Sequence, residues 1–458
     1  MKRLSAACMV FIFILLFNTL PVFSETGGGA VQAPAIKSEA AVLMDQKTGK
    51  ILFEKNSHKK MYPASLTKVL TAILITENLD LDETVTVGKE INRVGKDSSG
   101  AGLSAGQKIS GRDLIWALML PSGNDASYTA AVAVARKKSG NDSMEIQEAL
   151  KYFVGMMNER AQQIGAKESN FTNPDGYPDE NHYSTAHDLA LIAKAAMGND
   201  FIKEVAGTYT YTIQQSTDSQ ASSKKKTPDK WVNINQMINP DSKYFYQYAT
   251  GIKTGNTSAA GYCLASSAVK SDMTLVSIVL KADKEETRWV DSKALLEYGF
   301  DSFKYHTLVQ KGVSVGTVKV FRKYLGDSVE IKALADQEYT DVFTDQDFKN
   351  IKQTITWDPA LALPEGDKNS GAGLAGPVKT GQAIGKVTYS LNGNTLFESQ
   401  LTADRDSKQG NYTDTLYNVL DQAYIHKSVI IPALAAFIAL VVILIIWGAI
   451  RRKRMRAQ

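Results

Sequence analysis

Apolar positions from residue 66 onward follow a helical beat. Leu66 is followed by Val69, Leu70 and Ile73 at i+3, i+4 and i+7, the period of a helix buried along one face. Pro63 stands just ahead, where a chain often enters a helix. The same period predicts helices over 113–120, 126–135, 145–164, 186–197 and 285–298; Ile146, Leu150, Phe153, Met157 and Ala161 mark the third, and Thr185 caps the fourth. Short apolar runs predict strands at 40–44 and 51–54, turned by Asp45-Gln46-Lys47-Thr48-Gly49, then at 251–255 with 262–268, and at 273–280. Together these form one α/β (α+β) unit over 39–304, an antiparallel sheet with a helical part.

The pattern changes near residue 305. Runs at 313–321, 328–333, 384–391 and 395–401 are β-like and separated by Gly and Asp, which predicts a small all-β sandwich over 305–408. Within it, 359–376 is rich in Gly, Ala and Pro and is expected to be a loop. Residues 214–230 form a polar, Ser- and Lys-rich loop.

The two ends carry a different signal. Residues 1–24 are expected to be a secretory signal peptide: Lys2-Arg3, a mostly apolar run, then Val22-Phe23-Ser24. A Gly- and Ala-rich linker follows over 25–38. Residues 409–428 read as a stalk, and 429–450 as a transmembrane helix of sufficient length. The basic tail 451–458 favours the cytoplasmic side, which places the body outside, single-pass, on the extracytoplasmic face of a bacterial membrane. The formal charge is +4; without the two cations of the leader and the five of the tail, the exported body carries about −3. Nucleic acid is therefore not an expected partner, whereas membrane lipid is. Of the two cysteines, only Cys263 follows the leader, so the exported chain has no intramolecular disulfide.

Candidate chemistry lies at Ser65 and Lys68. Three residues apart on a helix, their side chains share a face, and a lysine in a water-poor site can lose its proton and activate a hydroxyl. Spacing alone is weak, because Ser57–Lys60, Ser222–Lys225, Ser223–Lys226 and Ser267–Lys270 repeat it. The first three lie in polar, turn-like sequence, and the last closes a strand, where such residues point to opposite faces. Two further motifs follow in order: Ser122-Gly123-Asn124 after an apolar helix, and Lys253-Thr254-Gly255 on a strand. Ser139-Gly140-Asn141, Lys47-Thr48-Gly49 and Lys379-Thr380-Gly381 repeat these triplets in a polar loop, a hairpin turn and the β domain.

The ordered set resembles the active-site motifs of penicillin-binding proteins and serine β-lactamases. With Phe171-Thr172-Asn173-Pro174-x-Gly176, Gly251-Ile252-Lys253-Thr254-Gly255-x-Thr257 and Ala260-Gly261-Tyr262-Cys263, the chain resembles the low-molecular-weight D-alanyl-D-alanine carboxypeptidases over about residues 35–305. The resemblance implies a β-lactamase/DD-peptidase-like fold and a β-lactam-sensitive enzyme that trims the last D-alanine from peptidoglycan stem pentapeptides. By position, it implies Ser65 as nucleophile, Lys68 as its base and Ser122 as proton relay. Asn124 would bind the substrate amide, Lys253 would add positive charge beside Ser122, and Thr254 with Arg288 would bind the terminal carboxylate. The strand residue Gly255 completes the third motif, and the N–H groups of Ser65 and Asn256 would form an oxyanion hole. The family often has His where Asp175 stands, so Asp175 receives no role.

Other features have plainer expectations. His182 and His187 lack the helical spacing of a zinc pair and are expected to cap or to face solvent; no metal or other cofactor is expected. Asp175, Asp179 and Glu180 are expected to be solvated turn residues, Cys263 a core residue, and residues 244–248 packing against the sheet. Two alternatives stay open: a β-lactamase, and a non-catalytic β-lactam-sensing or cell-wall-binding protein.

Overall fold

A computed structural model describes residues 32–95, 98–213, 228–322, 325, 327–363 and 373–455. The leader, the start of the linker, most of the 214–230 loop and the last three residues of the tail lie outside these. The chain divides into two units, Met1–Lys304 and Tyr305–Gln458.

In the first unit, a five-stranded sheet runs in the order β2-β1-β9-β8-β7 and is antiparallel throughout. Its strands are β1 (Ala40–Asp45), β2 (Ile51–Lys55), β7 (Ala249–Thr257), β8 (Gly261–Lys270) and β9 (Met273–Ala282). β1 is buried at every position, because both faces of the sheet are covered. Val42, Met44, Val276 and Ile278 point into the helical core. Leu43 and Leu275 point the other way, where an added Cβ on Gly299 would meet their side chains at 2.9 and 2.5 Å. Gly299 belongs to the closing helix Glu285–Ser302, which crosses close to the sheet there.

The helical part holds α1 (Lys68–Asn78), α2 (Gly111–Met119), α3 (Asn124–Ser139), α4 (Ile146–Ile164), α5 (Ala186–Met197) and α6 (Asp200–Gly207). Thr185 caps α5 through the Asp188 N–H, as expected. The helix α6 and the short pairs β3 (Thr84–Thr86) with β4 (Lys108–Ser110) and β5 (Thr210–Thr212) with β6 (Lys230–Val232) were not expected. Three-residue strands are too short to show a period, and their pairing is set by distant sequence. β6 also takes Lys230 out of the polar loop.

The second unit is all-β apart from the helix Asp345–Asn350, a short 3-10 turn and the C-terminal helices. Its main sheet has six strands: β11 (Ser314–Arg322), β12 (Asp327–Ala335), β14 (Lys352–Trp357), β15 (Gly373–Ala375), β16 (Ala383–Leu391) and β17 (Asn394–Ala403). A two-stranded ribbon joins β10 (Phe303–Val309) to β13 (Tyr339–Thr344). Val309 of the ribbon shares one core with Val320, Ile331, Val387 and Leu401 of the sheet. Within 359–376, Pro359–Leu361 form a 3-10 turn and β15 pairs parallel with β11, while residues 364–372 lie outside the described ones. Beyond lie the helices Tyr412–Ile425 and Lys427–Met455; the span Lys427–Arg452 is long and apolar enough to cross a membrane.

Candidate active site

The Ser65 segment is not the start of a regular α-helix. Ala64–Thr67 forms a 3-10 turn, and α1 begins at Lys68. A 3-10 turn has three residues per turn, so side chains three apart eclipse each other. Ser65 is thereby stacked on Lys68, and Lys68 Nζ donates to Ser65 Oγ at 2.9 Å. Its other hydrogen bond goes to the Asp175 carbonyl at 2.8 Å. Lys68 is fully buried, and removal from water brings its pKa down to about 8, against a partial upward pull from Asp175 and Asp125.

A turn and a strand press on this segment. Asn173 closes the first through the Gly176 N–H at 2.8 Å and the Tyr177 carbonyl at 2.9 Å, while Thr71 of α1 donates to the Pro174 carbonyl at 2.7 Å. Gly176 has φ +84, and a Cβ there would fall 1.8 Å from the Ala64 oxygen, so no other residue fits. From the sheet side, a Cβ on Gly255 would lie 3.1 Å from both Ala64 Cβ and the Pro63 oxygen, and 3.3 Å from the Ser65 nitrogen. β7 therefore runs against the backbone of Ser65 itself.

Ser122 sits at φ +62, unusual for a residue with a side chain, in the turn that feeds α3. Its carbonyl accepts from Ser99 Oγ at 2.7 Å. Asn124, the first residue of α3, is buried, and its Oδ1 has no hydrogen-bond partner. Asp125 accepts from the N–H groups of Ala101, Gly102 and Leu103 at 2.8 to 2.9 Å, which ties the 98–103 loop to the same wall.

Lys253 is buried, and its Nζ donates to the Thr254 carbonyl at 3.1 Å rather than to Ser122. Burial, then repulsion from Lys68 and Arg288, hold its pKa well below the usual lysine value. Arg288 reaches in from the closing helix to the Gly255 carbonyl at 3.2 Å and to Glu285 at 2.8 Å. It also stacks over Trp289, and its buried Nε has no partner.

Ser65, Ser122, Asn124, Thr254, Gly255, Asn256 and Arg288 all line one cleft of about 750 Å³. Lys68 and Lys253 stand buried behind it. The decoy triplets are elsewhere: Ser139-Gly140-Asn141 at the exposed end of α3, Lys47-Thr48-Gly49 in the β1–β2 turn, and Lys379-Thr380-Gly381 in an exposed turn of the second unit.

Two expectations are corrected. Asp175 is not a solvated turn residue: it is 1 % exposed and lines the cleft. Burial raises its carboxyl pKa, opposed by Lys68. Nor is His182 at the surface. It is buried, its Nδ1 accepts the Thr172 N–H at 3.1 Å, and its Nε2 therefore donates to Thr67 Oγ1 at 2.9 Å. Burial lowers its pKa to about 4. A turn composition rich in Asn, Pro, Asp and Gly indicated solvent, but packing against α1 removed it. Cys263 is a core residue as expected, and of 244–248 only Tyr246 is buried while Phe245 is exposed. Among the described residues, no group of His, Cys, Asp or Glu could hold a metal ion.

A buried lysine against a serine, at the junction of an antiparallel sheet and a helical part, is the arrangement of a serine acyl-transfer enzyme, peptidase or β-lactamase. The family profile of D-alanyl-D-alanine carboxypeptidases matches residues 28–284, and that of the penicillin-binding protein 5 C-terminal domain matches 303–409. The chain belongs to the D-alanyl-D-alanine carboxypeptidase family. It is 29 % identical over 420 residues to the D-alanyl-D-alanine carboxypeptidase DacF of Bacillus subtilis, covering 90 % of this chain and 96 % of that one. To DacA of Haemophilus influenzae it is 31 % identical, over 92 % of this chain and 98 % of the relative. Penicillin-binding protein 5 of Haemophilus influenzae superposes with a TM-score of 0.59 at 30 % identity, covering 82 % and 99 % of the two chains. The Streptomyces K15 DD-transpeptidase gives 0.53 at 32 % identity, over 59 % of this chain and all of the other.

Proposed function

We propose that this protein removes the terminal D-alanine of peptidoglycan stem pentapeptides through an acyl-enzyme on Ser65. The observation that carries this reading is the fully buried Lys68 ammonium, 2.9 Å from Ser65 Oγ with its pKa brought down to about 8. A base of that strength is partly neutral at working pH. Neutral Lys68 takes the Ser65 proton as Oγ attacks the carbonyl carbon of the penultimate D-alanine. The oxyanion is held by the N–H groups of Ser65 and Asn256, a contribution of about 3 kcal/mol per donor; the tight approach at Gly255 supports that pairing. The C–N bond breaks as Ser122 gives its proton to the leaving amine and takes the proton held by Lys68, which leaves Lys68 neutral again. Lys68 then assists water on the ester, which regenerates Ser65 and releases the shortened peptide.

Substrate groups find matching partners along the cleft. Asn124, with Oδ1 unpaired, takes the substrate amide. Thr254 and Arg288 take the terminal carboxylate, next to the field of Lys253. β-Lactams acylate Ser65 by the same route. The apolar helix anchors the chain in the bacterial cell membrane, and its basic tail keeps the catalytic body on the outer face.

The test uses detergent-solubilised full chain, wild type and Ser65→Ala, with a D-alanyl-D-alanine pentapeptide and labelled penicillin, read by mass spectrometry. Wild type should release one D-alanine and take up penicillin at Ser65, and the variant should do neither. Fast penicillin turnover would instead indicate a β-lactamase. Labelling without D-alanine release would indicate a sensor.

A further inference from the structure

Two acidic side chains of the cleft wall are left idle by the scheme above: Glu285, which is paired with Arg288, and Asp175, whose environment is unusual. Asp175 is almost completely buried. One carboxyl oxygen accepts the Tyr177 N–H at 3.2 Å, and the other has no hydrogen-bond partner. An unpaired buried carboxyl oxygen is costly, so the fold keeps it against its own stability. Its backbone carbonyl holds the Lys68 ammonium at 2.8 Å. Thr71 Oγ1, donating to the Pro174 carbonyl at 2.7 Å, holds the turn against α1, and the Gly176 backbone lies directly on Ala64.

We propose that Asp175 is a positioning residue for Lys68: its backbone oxygen aims the ammonium at Ser65, and its carboxylate is the buried counter-charge that sets the pH at which Lys68 gives up its proton. This rests on the reading of Lys68 as the base. Burial opposes ionisation of both groups, and each offsets part of that cost for the other.

The other groups facing this pair either cannot replace Asp175 or act against it. Asp125 of α3 adds a weaker attraction to Lys68 but is committed to the N–H groups of residues 101–103. Lys253 of β7 and Lys68 repel each other. His182 is neutral and hydrogen-bonded on both nitrogens. Tyr128 of α3 is kept protonated by burial and by Asp175, with Arg93 opposing.

The experiment is the pH profile of kcat/KM for D-alanine release by the full chain, comparing wild type with Asp175→Asn, Asp175→Ser and Asp175→Glu. Wild type should show an acid limb near pH 8. Both neutral variants should move it down by roughly one pH unit, which makes them about tenfold more active relative to their own plateau at pH 6. Asp175→Glu should keep the limb near its original place. Ser provides a second neutral variant if Asn does not fold, as judged by circular dichroism. A limb that stays put in the neutral variants while the plateau falls would mean a merely structural role and overturn the proposal. A wild-type profile flat from pH 6 to 10, or full activity in Lys68→Met, would overturn the base reading, and the proposal with it.

Discussion

The Lys-Thr-Gly triplet at 253–255 and its copy at 379–381 have the same residues and opposite surroundings. Lys253 and Thr254 are buried in β7, and a side chain at Gly255 would crowd the Ser65 turn. Lys379, Thr380 and Gly381 are exposed; Thr380 is tied to Asp406 by two 2.8 Å bonds, and Gly381 has φ +77 with open space around it. In one place glycine admits a close approach, and in the other it permits a turn. The lysines differ in the same way. Lys253 is stripped of water beside two other cations, whereas Lys379 is solvated. Residue identity supplies a capacity, and burial among particular neighbours turns that capacity into chemistry.

The most severe way to break the contrast is to remove the buried cation that the exposed regions lack. Lys68→Met should lower kcat/KM for D-alanine release by about three orders of magnitude or more. The same change should raise the melting temperature at pH 7. Its folded pKa of about 8 lies below the ordinary 10.5, so burying the charged form costs about 3 kcal/mol at neutral pH. The gain should shrink as pH rises from about 8 to 10.5, where wild type no longer carries that charge. Calorimetry across this range checks the sign.

A smaller effect separates the two glycines directly. Gly255→Ala should press β7 and the Ser65 turn apart by a fraction of an ångström and lower kcat/KM by roughly tenfold, part of the hundredfold that a full ångström of misplacement costs. Gly381→Ala should leave kinetics unchanged and cost about 1 kcal/mol through its left-handed backbone. Steady-state assays and urea midpoints on the same pair of variants test both halves.

The gentlest probe concerns His182. Its folded pKa of about 4 lies below the ordinary 6.5, so its contribution is fully present above pH 6.5 and is lost as pH falls to 4, about 3 kcal/mol in all. His182→Gln, able to accept from Thr172 and donate to Thr67, should remove that part of the acid sensitivity. Urea unfolding at pH 7 and pH 4.5 would show it. An equally steep loss in the variant would place the sensitivity in the carboxylates instead.

Much of this was legible before any coordinates. The helices over 145–164 and 186–197 and the strands at 262–268 and 273–280 carried enough period to be placed within a few residues of α4, α5, β8 and β9. The motif triplets were separated from their decoys by context alone. Less legible were β3 to β6, β10 and β13, whose short runs gain meaning only from partners far along the chain. Asp175 and His182 were misjudged for one reason: turn-forming residues usually face water, and nothing local says that α1 will cover them.

The sequence by itself determined the chemistry on offer: a serine and a lysine three apart, a second serine, a strand lysine, and an apolar C-terminal span. It also determined the family, since those motifs keep their order. Only the tertiary structure decided which groups lost their water. Lys68, Lys253, Asp175 and His182 depart from their ordinary pKa values because segments more than a hundred residues apart pack over them. Desolvation is a property of the assembled neighbourhood, and no stretch of chain carries it alone.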